Sequence, residues 1–234
     1  MSKIEKARAY WRSHEDQKAI DILNVDDLAT SAEALFVLGD IYNCADKRVG
    51  GVSRSVPQAR KYWLEAVKYG SMDSAVELGN LYYFGDGVKQ NYRKAEEFWL
   101  IAANGGDELG MFKLADFYFD YYPEKIPDGI VLFELLTKGT TFARNSYCKL
   151  GRIFDRGIGV ERDPKKAISW YEAGARLNDG NCLLDLSYLY YKGDGIEKDI
   201  NKAIELAEKA ADTEWLKDIA PIVVEKMRKG TLLN

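Results

Sequence analysis

Leucine recurs at Leu78, Leu114, Leu150 and Leu186, each 36 residues after the last, and glycine follows it at Gly79 and Gly151. A fixed period of this length means a chain built from one supersecondary unit stacked on copies of itself, because so small a unit buries its apolar face only against a neighbour. Gly157-Ile158-Gly159-Val160 and Gly193-Asp194-Gly195-Ile196 also lie 36 residues apart, and Gly85-Asp86-Gly87-Val88 lies 72 residues, two periods, before the first of them. Taken singly, Gly-Asp-Gly with Lys89 and Arg93 behind it would pass for a phosphate loop or a metal turn. Recurring in register, it is a turn: glycine takes positive φ at no steric cost, so it ends one helix and reverses the chain into the next. On this reading Asp86 and Asp194 are polar turn residues.

After each turn a small residue recurs, at Ala59, Ala95, Ala167 and Ala203, and four residues before each stand Ser55, Asn91, Asp163 and Asp199. All four are of the types that cap helix N-termini, and Pro164 suits the first helical position. Each unit is therefore predicted to be two antiparallel helices. Helix A spans 32–43, 72–84, 108–119, 144–155 and 180–191; helix B spans 56–69, 91–104, 128–138, 164–176 and 200–211. Residues 1–29 are expected to hold N-terminal capping helices or a degenerate unit, 30–212 five units (about 30–70, 71–106, 107–142, 143–178 and 179–212), and 213–234 a closing helix and tail. Trp215, Leu216, Ile219, Ile222 and Val223 are the expected contacts of that closing helix. Two units depart from the pattern: the loop NCADKRVGGVSRSV of the first carries four extra residues, and DYYPEKIPDG replaces the glycine turn of the third, with Gly129 in the alanine position.

With 47% hydrophobic and 30% charged residues, the 234-residue chain has the composition of a folded protein. A formal net charge of -4 lacks the basic footprint that displaces counterions from phosphates, so nucleic acid is not an expected partner. The first residues are charged and no 18-residue stretch is free of charge, which predicts a cytoplasmic chain without membrane insertion. Cys44, Cys148 and Cys182 show no paired spacing and suggest neither a disulfide framework nor a zinc site, only reduced structural thiols. His14 is the sole histidine, and no nucleophile elbow, paired-carboxylate motif or phosphate loop accompanies it. No active site, cofactor or metal is expected.

These residues resemble the Sel-1-like repeat family, relatives of the tetratricopeptide repeat. In the second unit Ala75, Leu78, Gly79, Tyr82, Gly85, Gly87, Val88, Asn91, Lys94, Ala95, Trp99, Ala102 and Gly106 match its pattern. In the fourth, Leu150, Gly151, Gly157, Gly159, Val160, Asp163, Lys166, Ala167, Trp170 and Tyr171 do so. The resemblance implies an all-α, right-handed α/α solenoid and a non-catalytic module, an adaptor or scaffold, holding a protein partner in its concave groove. It places Ile41 and Tyr42, Leu81 and Tyr82, Phe117 and Tyr118, Ile153 and Phe154, and Leu189 and Tyr190 in the core. The remaining stripe of helix A then meets the partner: Val37, Glu77, Lys113, Lys149 and Asp185; Asp40, Asn80, Asp116, Arg152 and Tyr188; and Asn43, Tyr83, Phe119, Asp155 and Tyr191. Tyr83, Phe119, Tyr188 and Tyr191 are the expected exposed anchors. Tyr121 and Tyr122 in the irregular third loop form an alternative site. Two other functions stay open: a cytosolic immunity or antitoxin protein that inhibits a toxin or effector, and hydrolysis of penicillin-like compounds. The latter is linked to members with a cysteine pair in each repeat, which this chain lacks.

Overall fold

The computed structural model describes residues 1–25, 28–44, 52–213 and 215–232, which leaves most of the insertion in the first loop, residues 45–51, outside the described residues. Among the described residues the chain is helical and without strands. The helices are α1 (Lys3–Arg12), α2 (Asp16–Leu23), α3 (Ala32–Cys44), α4 (Val56–Lys68), α5 (Met72–Phe84), α6 (Tyr92–Asn104), α7 (Glu108–Tyr121), α8 (Ile126–Leu136), α9 (Ala143–Arg156), α10 (Pro164–Arg176), α11 (Gly180–Lys192), α12 (Ile200–Ala210) and α13 (Ala220–Lys229). The chain divides into two compact units, Met1–Leu114 and Ala115–Asn234. In the first, α3 packs on α4 and α5 on α6; in the second, α9 packs on α10 and α11 on α12. These are the helix hairpins of an α/α solenoid.

The leucine–glycine register explains how three of the hairpins close. A Cβ built on Gly39, Gly79 or Gly151 would fall 2.3, 2.4 and 2.3 Å from the rings of Trp63, Trp99 and Tyr171, so the ring of helix B lies flat on the bare backbone of helix A. Trp63 and Tyr171 are fully buried, as are Ala59, Ala95, Ala167 and Ala203 one turn before the ring register. In the last hairpin both members of the contact change together: Ser187 stands in the glycine register and Ala207 in the ring register, and both are buried.

At the turns, Gly85, Gly157 and Gly193 adopt left-handed backbone with φ of 70°, 66° and 73°, and each N–H closes on the carbonyl four residues back. The chain is then tied to helix A where helix B begins: the N–H groups of Ser55, Asn91, Asp163 and Asp199 donate to the carbonyls of Tyr42, Tyr82, Phe154 and Tyr190 at 2.8–3.0 Å. Asn91, Asp163 and Asp199 cap as expected, accepting from the N–H groups of Lys94, Lys166 and Lys202. Ser55 does not; Pro57 in the first turn presets α4 instead.

Three sequence expectations change. The third-repeat segment is not an irregular loop: α7 runs on through Tyr121, Pro123–Lys125 form a 3₁₀ turn, and α8 starts at Ile126 with Pro127 in its first turn. Gly129 is buried there, and the fully buried Phe133 takes the ring's role one turn later. At the C-terminal end the helix begins only at Ala220, because Pro221 fixes its first turn. Leu216 and Val223 are buried as expected, but Trp215 is 88% exposed and Ile219 and Ile222 are exposed too. Finally, Tyr42 and Tyr190 are only half-buried, Tyr42 stacking on Tyr62 with centroids 5.6 Å apart.

Replacing Gly79 with alanine should cost about 1–3 kcal/mol in urea or thermal unfolding, since the new methyl overlaps the Trp99 ring and must displace it. In a Trp99→Leu background the same change should cost clearly less. Additive penalties would show that the ring does not set the requirement for glycine.

Candidate protein-interaction face

The off-core stripe of the A helices differs between the two units. In the first, Asp40 on α3 accepts the Trp63 indole N–H at 3.2 Å. Glu77 and Asn80 lie one turn apart on α5, and the Asn80 side chain hydrogen-bonds the Glu77 carboxylate. Burial, and next the charge of Glu77, push the Asp40 carboxyl up to about 7. Burial also raises Glu77, against the pull of Asn80 and of Lys113 on α7. Tyr83 belongs to an aromatic cluster, with ring centroids 4.9, 5.5 and 5.3 Å from Phe84, Tyr92 and Trp99. Phe84, absent from the sequence-based stripe, is 67% exposed. A cavity of about 250 Å³ opens on this face, lined by Asn43, Trp63, Glu77, Asn80, Leu81, Phe84 and Asp86.

In the second unit the same registers are neutralised in pairs. Asp116 on α7 forms an ion pair with Lys149 on α9, whose ammonium also lies 4.3 Å from the centroid of the Phe119 ring. Arg152 on α9 donates to Asp185 on α11 at 2.7 Å, and the Cys148 thiol donates to the same carboxylate at 3.7 Å. Burial raises Asp185 even so. Tyr188 is half-buried and its phenol is shifted up by burial and by Asp185.

The turn aspartates do more than face water. Arg162 donates through Nε to the Asp155 carbonyl at 2.6 Å and reaches Asp194 in the next repeat's turn at 2.5 Å. Arg54 repeats the arrangement in the first unit, donating to the Asn43 carbonyl at 2.9 Å and pairing with Asp86. Asp86 and Asp194 are thus acceptors of an inter-repeat arginine clamp.

Several predicted site residues are placed differently. Tyr191 is 6% exposed, packed with Ala203, Ala207 and Val223, and cannot serve as an exposed anchor; Val37, at 1%, is core as well. Tyr83, Phe119 and Tyr188 are half-buried rather than projecting, and Asp116, Lys149, Arg152, Asp155 and Asp185 are engaged with one another or with Arg162. Among the alternative pair, Tyr121 is exposed and Tyr122 half-buried, their rings 5.4 and 5.1 Å from Phe117. His14 is exposed, at the end of α1. The second unit also brings Cys148 and Cys182 together, with Sγ atoms and an Asp179 oxygen all within 4.8 Å of one another. Asp179 is engaged as the N-cap of α11, accepting the Cys182 N–H at 2.9 Å, and the neighbouring Cys148 thiol and burial push the Cys182 thiol up, which favours a packed thiol pair. Their near-period spacing of 34 residues was the signal in the sequence. Among the described residues no helix is long and apolar enough to cross a membrane.

The profile of the Sel1 repeat matches residues 32–70, 73–107, 145–179 and 181–212. The third hairpin, whose glycine turn is replaced, lies outside the match. Among solved structures, a Sel1 repeat protein from Oxalobacter formigenes superposes with a TM-score of 0.76 at 22% identity, over 89% of this chain and 84% of that one. A protective antigen of uropathogenic Escherichia coli strains with an SLR fold gives 0.77 at 23% identity, over 97% of this chain and 49% of that chain. At these identities the likeness concerns the fold.

Asp40 generates a pH dependence of defined sign. Its native pKa of about 7 lies above its ordinary value of 3.8, so the folded chain binds more protons between those limits and stability falls as pH rises through them, levelling off above 7. The groups that act on it are Glu77 and Asp73 from α5, Arg8 from α1 and the Trp63 indole from α4. Asp40→Asn keeps an acceptor for the indole and removes the charge. It should match the parent's thermal midpoint near pH 4 and exceed it by a few degrees at pH 8, as followed by circular dichroism; parallel curves would show that the buried charge is not destabilising.

Proposed function

Since the chain belongs to the Sel1 repeat family, whose members are generally non-catalytic scaffolds, we propose that it is an adaptor that holds a protein partner against the off-core face of its A helices. The observation that carries this is the composition of that face. It combines accessible ring surface (Tyr83, Phe84, Phe119 and Tyr188) with charges held in fixed positions by neighbouring repeats, while the core registers stay nearly constant. Aromatic surface set among oriented charges is what protein interfaces use: the rings supply contact area at low entropic cost, and the charges select the partner. Glu77, Asn80, Tyr83 and Lys113 serve this purpose in the first unit, and Asp116, Phe119, Lys149, Arg152, Asp155, Asp185 and Tyr188 in the second.

Affinity purification from the source cell with mass spectrometry identifies the partner, and its make-up separates two forms of the role. A multi-component complex marks a scaffold; a toxin as sole stoichiometric partner marks an inhibitor. With the partner in hand, Phe119→Ala and Tyr188→Ala should each weaken binding by about 2 kcal/mol, roughly 30-fold, in calorimetric titration. Full affinity in both variants, with loss only on changing Tyr121 and Tyr122, would move recognition to the end of α7.

A further inference from the structure

The last helix leaves its outer stripe uncovered. The Leu216 carbonyl accepts the N–H groups of Ile219 and Ala220 at 3.0 and 2.8 Å, so a helical turn over residues 217–219 runs straight into α13. One side of this element is core: Leu216, Ala220, Val223, Val224 and Met227 are buried, the last three packed with Tyr191, Ala203 and Ala207. The other side carries Asp218, Ile222, Glu225 and Lys229, with Ile219 and Lys226 beside them and Trp215 just ahead, all exposed. Ile219 and Ile222 show 51% and 56% of their surface to solvent, and Trp215 more still. Three large apolar side chains so close in the sequence form a patch, unlike the scattered single residues that protein surfaces ordinarily carry.

The charges around the patch specify what covers it. Glu225 is paired with Lys229, and Arg228 with Glu208 on α12. Asp218 and Lys226 have no ion-pair partner among the described residues. They stand four residues before and four residues after Ile222. Eight residues of helix separate them by about 12 Å along the axis, too far to pair with each other. A stripe with an apolar centre and opposite charges equally spaced about it is complementary to itself turned through 180°. When two such helices pack antiparallel about a two-fold axis at Ile222, Ile222 meets Ile222, and Asp218 of each copy faces Lys226 of the other. Trp215 of each then lies opposite Lys229 of the other, whose aliphatic stem covers the ring. Parallel packing in register would instead set Asp218 on Asp218 and Lys226 on Lys226. A foreign helix needs no such symmetry in the surface it covers.

We propose that α13 is a self-association surface, through which two copies of this chain pair antiparallel about Ile222. The inference does not rest on the adaptor role; it supplies that role with a second recognition face in the same particle. A stripe this short is at the small end of protein interfaces, so the association is weak.

Sedimentation of the full chain over a loading series reaching the millimolar range should show a monomer–dimer equilibrium. Ile222→Lys should be monomeric throughout and keep the parent's circular dichroism spectrum and thermal midpoint at low concentration, because Ile222 is exposed in the single copy. Asp218→Lys and Lys226→Asp each oppose like charges across the axis and should weaken self-association about tenfold or more. Mixed in equal amounts, the two variants regain both ion pairs between unlike copies, so the mixture should dimerise about as tightly as the parent. A role confined to one chain produces no recovery on mixing. A monomer at every concentration overturns the proposal, as does a dimer that the single reversals leave unchanged or that mixing fails to restore. A monomeric parent whose binding to a protein partner is lost in Ile222→Lys also overturns it, and assigns the face to that partner.

Discussion

The hairpins α3–α4, α5–α6 and α9–α10 depend on one contact, the ring of helix B lying against a glycine of helix A. At Gly39, Gly79 and Gly151 the rings of Trp63, Trp99 and Tyr171 occupy the space where a Cβ would be. Two helices approach this closely only where one lacks a side chain, and the flat ring then fills the gap with apolar area. The other repeat features follow from that approach. The alanines one turn away must be small, the left-handed glycine must end helix A at a set distance, and the backbone tie from the helix B start to the end of helix A comes within reach. Where the ring is lost, at Ala207, the glycine is replaced by Ser187, so a side chain on helix A appears only where the facing ring is gone.

Between repeats the chain relies on charge. Arg54 and Arg162 each grip the carbonyl at the end of one helix A and the aspartate in the turn of the next repeat, linking neighbours through backbone as well as side chain. The Asp116–Lys149 and Arg152–Asp185 rungs add a second link within the second unit, partly shielded from water and therefore stronger than an exposed pair. The corresponding registers of the first unit carry Asp40 with Glu77, two acids, and Asn80 with Lys113, an amide and a cation, so charge pairing at this register belongs to the second unit.

The packing of Cys148 against Cys182 comes from the same periodicity. Residues near one period apart in sequence fall side by side on adjacent A helices, so any two cysteines placed in that way will meet. Burial of both, and the raised thiol pKa of Cys182, give them the properties of small apolar side chains rather than of ligands or nucleophiles.

Periodicity in the sequence was sufficient to determine the helices and core of four hairpins, because these rest on contacts between residues at fixed short separations: a ring some twenty positions after a glycine at Gly39, Gly79 and Gly151, and side-chain caps at Asn91, Asp163 and Asp199 after the glycine turns at Gly85, Gly157 and Gly193. The third hairpin was only partly legible, since Pro123 and Pro127 read as loop residues although both occupy first-turn positions where proline fits. Tertiary structure alone decided which members of the helix A stripe face water. Tyr191 shares a register with Tyr83 and Phe119 but is covered by α13, and Phe84 shares no expected register yet stands exposed. The same holds for charge: the registers of Asp40, Asp116 and Arg152 are visible in the sequence, but whether each is neutralised depends on what the next repeat presents across the gap. Burial and pairing are properties of neighbours brought together by stacking, and a one-dimensional period specifies the stacking without specifying what each neighbour carries.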